Sequence, residues 1–136
     1  MPNSAARPTI TPPFAVPSSF VSTSPVTDAT SVDPTGRFWA ANYYYEGDCW
    51  ETDSCPMRER FGVGRSHRGR RTVERMIELE VTASGIQPTD TAPVQLELGR
   101  GPGRNWEGIV RYDDLGFLVV TDKHPSSILA FVPFPS

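Results

Sequence analysis

Lysine is almost missing from this chain: Lys123 stands alone against twelve arginines in 136 residues. A GC-rich coding sequence suffices to explain that ratio, so it carries no chemical weight here. Cysteine is limited to Cys49 and Cys55, and histidine to His67 and His124. Zinc and redox motifs need cysteine pairs about two to four residues apart plus further ligands, and none is present. No metal and no cofactor are expected. Two readings of the thiols stay open. They are free in a reducing compartment, or they close the Asp48–Pro56 loop as a disulfide in an oxidising one.

Long apolar runs are also lacking. No stretch approaches the roughly 20 apolar residues that a membrane span needs. The longest apolar run near the N-terminus is Phe14-Ala15-Val16, too short for the core of a signal peptide. The expectation is a cytoplasmic or virion protein without a membrane. The formal charge of -3 and a pI near 5.3 speak against a dedicated nucleic-acid binder, which is usually basic.

Catalytic motifs are absent as well. Ser126 and Ser127 have no glycine-rich elbow, and no P-loop lysine follows the Gly99–Gly103 loop. Asp113 and Asp114 are adjacent, so on an extended backbone they point apart and cannot share a proton. They read as a turn. No catalytic residue is assigned.

What is present divides near residue 35. Residues 1–35 hold seven prolines and twelve serines or threonines, no lysine and only Arg7. Such a segment cannot bury enough apolar surface to offset its conformational entropy, so residues 1–35 read as an extended arm. Pro8, Pro12, Pro13, Pro17 and Pro25 favour extension. Phe14 and Phe20 are out of place in a purely solvated linker. Two readings stay open: an inert tail, or a docking arm whose Phe14 and Phe20 are anchors that order against a partner.

Residues 36–136 read as one small all-β domain, an antiparallel meander or β-barrel. Arg37–Tyr45 is aromatic and strand-like. Arg58–Val63 is expected to be a second strand. In Thr72–Thr82, Ile77, Leu79 and Val81 alternate with Glu78 and Glu80, the period of a half-buried strand. Over Arg70–Leu79 a short helix is the rival, since Val73, Met76 and Ile77 also fit helical spacing. Val94, Leu96 and Leu98 alternate with Gln95 and Glu97. Trp106–Tyr112, Phe117–Val120 and Ile128–Phe134 complete the strands, separated by turns at Asp113–Gly116 and Asp122–Ser126. Closure into a barrel would remove the exposed edges of such apolar strands.

Residues 94–134 resemble the last strands of a lipocalin: an alternating strand, a Gly/Pro turn, an aromatic start to the next strand, and a strand like Phe117-Leu-Val-Val120. Gly36-Arg37-Phe38-Trp39 is similar to that family's Gly-x-Trp start, with the tryptophan one residue late. The final strand lacks the arginine that packs under that tryptophan. The resemblance implies a barrel that binds a hydrophobic small molecule, with Trp39, Tyr43, Tyr45, Trp106 and Phe117 lining it in part. Residues 106–120 also resemble the first Sm motif, in Gly108, Asp114 and the Phe117–Val120 run. That resemblance implies RNA binding, but the family's base-contacting asparagine would fall at Leu118.

The remaining cluster is basic. Arg58, Arg60, Arg65, Arg68, Arg70, Arg71 and Arg75 lie close together, with Glu46, Asp48, Glu51 and Asp53 as an opposing patch. Arg65, Arg68, Arg70 and Arg71 read as an interaction surface for an acidic mate within or between copies, or for phosphate. Taken together, these features lead to a non-catalytic structural protein that docks into a larger assembly, for example a virion, through its arm. Its partners are other proteins or copies of itself, and nucleic acid is not expected. The alternative is the lipocalin-like carrier or enzyme, and the third reading is Sm-like RNA binding.

Overall fold

The computed structural model describes residues 26–44, 56–65, 68, 72–96, 103–123 and 126–134. Its elements are β1 (Val26–Ala29), β2 (Arg37–Tyr44), α1 (Pro56–Phe61), β3 (Val73–Thr82), β4 (Gly85–Pro88), β5 (Val94–Gln95), β6 (Trp106–Tyr112), β7 (Gly116–Thr121) and β8 (Leu129–Pro133). Every strand pairing is antiparallel. The all-β class is as the sequence predicts.

The closed barrel is not. The strands form two sheets, one in the order β1-β2-β3-β4 with β5 also on β3, the other β6-β7-β8. The seam between them is made by side chains instead of a backbone ladder. Ile109 N donates to Asp28 Oδ2 at 2.9 Å, and Thr27 Oγ1 donates to the Trp106 carbonyl at 2.5 Å. Thr27 and Asp28 belong to β1, inside the segment that composition assigns to the arm. The boundary at residue 36 therefore falls within the fold. Ser/Thr content could not reveal this, because β1 is held by its pairing to Ala40, Ala41 and Asn42.

Strand β3 organises the molecule. β2 pairs along its length from Val73 to Glu80 on one side. On the other side β4 and β5 follow one another, at Leu79–Thr82 and Arg75–Met76. Successive side chains of β3 alternate between faces, and both faces are covered. Met76, with Trp39, Ala41 and Leu96, faces Trp106, Ile109, Phe117 and Val119 of the second sheet. Ile77 and Leu79, with Ala40, face Met57, with Phe38, Phe61 and Ile86 at the margin. This settles strand against helix for Val73–Thr82.

The strand expected over Arg58–Val63 is corrected to α1. Met57 and Phe61 are four residues apart, which puts both on one helical face. Both pack on the cluster that holds Ile77 and Leu79. Pro56 opens the helix, where a missing N–H costs nothing.

Candidate interaction surface

The aromatic residues expected to line a lumen are instead stacked inside a core. Trp39, Trp106 and Phe117 are all buried. The Trp39 and Phe117 rings lie 5.2 Å apart, and Phe134 reaches both, at 4.7 Å from Phe117 and 6.3 Å from Trp39. With two separate sheets there is no barrel wall for these rings to line. Tyr43 is half-buried on β2. Tyr45 lies outside the described residues, as do Phe14, Phe20, Arg70, Arg71, the acidic patch at Glu46–Asp53, both cysteines and both histidines. Arg65 and Arg68 are exposed, and Arg68 donates to the Val63 carbonyl at 3.2 Å.

Charges inside the fold are held by polar partners. Glu74 is buried, and its Oε1 accepts from Arg104 N at 2.6 Å and from Trp106 Nε1 at 3.2 Å. On the opposite face of β3, buried Arg75 donates from Nε to Asn42 Oδ1 at 2.7 Å. A buried charge without such bonds would be strongly unfavourable. A polar cleft of about 320 Å³ is lined by Arg37, Glu80, Pro88, Thr89, Asp90 and Thr91. Beside it Glu78 Oε2 accepts from Thr89 and Thr91 hydroxyls at 2.8 and 2.6 Å. Arg60 pairs with Asp90. Nothing in this cleft suits a hydrophobic ligand.

The end of the seam is electrostatic. Arg111 pairs with Asp33 at 3.7 Å and Asp114 at 3.0 Å, and its guanidinium sits 5.2 Å from the Phe134 ring centre. Asp33 Oδ1 accepts from the Thr35 hydroxyl at 2.6 Å, Thr35 N at 2.8 Å and Arg37 N at 3.0 Å. The Thr35 hydroxyl above all, then the Arg37 amide, hold the Asp33 carboxyl below the usual carboxylate range. Asp113 and Asp114 form the β6–β7 turn that the sequence predicts, with Asp113 at φ 47°. The next residue but one after Asp114 must be glycine. A methyl on Gly116 would overlap the Val132 carbonyl oxygen and come within 2.8 Å of Pro133 Cα.

The sheet β6-β7-β8 has an apolar outer face. Direct cross-strand partners share a face, so Val110, Leu118 and Phe131 form one row and Val120 and Leu129 another beside it. Tyr112 and Pro133 flank them across Gly116. Val110 is 55%, Tyr112 50%, Leu129 71% and Phe131 50% exposed, and Val120 is also exposed. None of these residues is charged. Scattered exposed apolar side chains are ordinary, but a contiguous group on one sheet face marks an interaction site. Phe117–Val120 and Ile128–Phe134 read as apolar strands, and that reading could not say that one side would lack a cover among the described residues. No family model, curated protein or solved structure matches this chain.

Proposed function

We propose that this protein is a non-catalytic interaction subunit that docks into a larger protein assembly. The carrying observation is the uncharged apolar face of β6-β7-β8, with Val110, Leu118, Leu129 and Phe131 set side by side. Exposed tyrosine and phenylalanine on such a face are the residue types that anchor protein interfaces. The arm supports the same reading. From Pro8 to Thr27 it contains no charged residue, so Phe14 and Phe20 can approach an apolar surface without desolvating a charge. A setting in the cytoplasm or a virion belongs to the same reading.

The test removes each contact separately. A chain without residues 1–24 keeps β1 and should retain its circular dichroism spectrum and melting temperature. Its association with the native assembly, followed by size exclusion with light scattering, should weaken. Val110→Asp in the full chain should do the same while leaving the fold intact. Undiminished association in both variants would refute the proposal.

A further inference from the structure

β8 is an open edge, and its ladder to β7 determines which way each backbone group points. Thr121 N donates to the Ile128 carbonyl and Phe134 N to the Leu115 carbonyl. Between them the register runs without a shift from Gly116↔Pro133 to Val120↔Leu129. Hydrogen-bonded pairs alternate along an antiparallel ladder. Ala130 and Val132 therefore turn N–H and C=O toward β7, while Leu129, Phe131 and Pro133 turn theirs away. Pro133 fits this assignment, because a sheet tolerates proline where its absent N–H would face outward. Among the described residues no strand pairs with that side of β8.

The other edge of the same sheet is guarded. Ile109, an outward donor of β6, is capped by Asp28, and the Trp106 carbonyl by Thr27. The β6–β7 ladder also contains a bulge between Trp106 and Gly108. β8 has neither device. Its residues Leu129-Ala-Phe-Val-Pro133 bear no charge, and an uncharged, regular edge is a template for another strand.

We propose that β8 pairs antiparallel with β8 of a second copy, about a two-fold axis at Phe131, joining two three-stranded sheets into one. This rests on the assembly reading above and names the partner. Under that axis the Phe131 N–H of each copy donates to the Phe131 carbonyl of the other. The Leu129 N–H of each copy meets the Pro133 carbonyl of the other. Every outward N–H of the strand is used, and proline's missing donor leaves only the Leu129 carbonyl to water. Phe131 then meets its own symmetry mate on the apolar face, and Leu129 meets Pro133 of the second copy. The arm is a poorer occupant. Pro8, Pro12, Pro13 and Pro17 remove donors from it, whereas every outward N–H of β8 finds an acceptor in a second copy. An edge pairing buries less than the roughly 1,200 Å² of a standard interface. The dimer should therefore form in the micromolar to millimolar range.

The experiment is sedimentation equilibrium on the full chain across that range, with Phe131→Lys and Phe131→Glu variants. The native chain should move from one to two chain masses as concentration rises. Each variant alone should stay at one chain mass, because like charges meet on the two-fold. An equimolar mixture of the two should regain the dimer. Phe131 is half exposed, so both variants should keep the native circular dichroism spectrum, and Leu129→Lys gives a second probe of the same edge. A double Phe14→Ser, Phe20→Ser variant should dimerise like the native chain. A native chain that stays monomeric, a dimer indifferent to both Phe131 charges, or a mixture that fails to recover would overturn the proposal. Loss of the dimer in the arm variant would overturn it in favour of the arm. The assembly reading fails by a separate result, unchanged association after arm removal and after Val110→Asp.

Discussion

β3 and β7 are the central strands of their sheets, and they meet water differently. β3 has the second sheet over one face and α1 over the other, and its first five residues are buried, including Glu74 and Arg75. β7 has a core on the side of Phe117 and Val119 and an exposed apolar surface on the side of Leu118 and Val120. The edges repeat the contrast, with β6 capped by Thr27 and Asp28 and β8 without a partner strand on its outer side among the described residues. Where both faces are covered, even charged side chains serve the fold. Where one face is left open yet apolar, the side chains there are free to serve a partner.

The sharpest way to break this comparison is to truncate one side chain on each face of the second sheet. Phe117→Ala removes a fully buried ring from contact with Trp39 and Phe134. It should lower unfolding free energy in urea by about 3–5 kcal/mol. Val110→Ala, on the outward side, should stay within about 0.5 kcal/mol. Equal losses would mean that the outer face is part of the fold's own core.

Glu74→Ala probes a middle range. It strands the Trp106 indole N–H and the Arg104 amide, both donors to Glu74 Oε1. Leaving a buried donor without an acceptor costs about 1–3 kcal/mol. Glu74→Gln keeps a carbonyl acceptor and should recover part of the loss. Chemical denaturation of the two variants side by side tests this.

The smallest effect concerns pH. The Asp33 carboxyl titrates lower in the folded chain than in the unfolded one. Its stabilising contribution is therefore present above the unfolded value, near pH 4, and is lost as pH falls through the folded value. Asp33→Asn should flatten this part of the acid limb, with little change in slope between pH 6 and 8. Melting temperatures from pH 2 to 8 would show it, and parallel acid limbs in the two proteins would contradict the assignment.

Much of the architecture was legible in the residues. Alternation located β3, aromatic and apolar runs located β6, β7 and β8, and adjacent aspartates located the turn before Gly116. Where local pattern and long-range pairing disagreed, the pattern failed. Arg58–Val63 looked like a strand, but the spacing of Met57 and Phe61 matters only once Ile77 and Leu79 lie beneath them. Val26–Ala29 looked like linker, yet it becomes β1 by pairing with β2 and capping β6. Gly85–Pro88 is too short and too turn-like to announce itself as β4. The surface proposed as the interaction site was hidden for the same reason. An apolar residue in an apolar strand reads identically whether its face is covered or bare.

By itself, then, the sequence determined the β class and most strand positions. Those follow from local sterics, side-chain period and composition, which each residue carries with it. Only the tertiary structure decided that the strands form two sheets and not a barrel, that Trp39, Trp106 and Phe117 fill a core, and that β8 and the face beside it are left uncovered by the described residues. Those depend on which elements come to rest against which. Burial and edge exposure are properties of such meetings between distant segments, and no single segment encodes them.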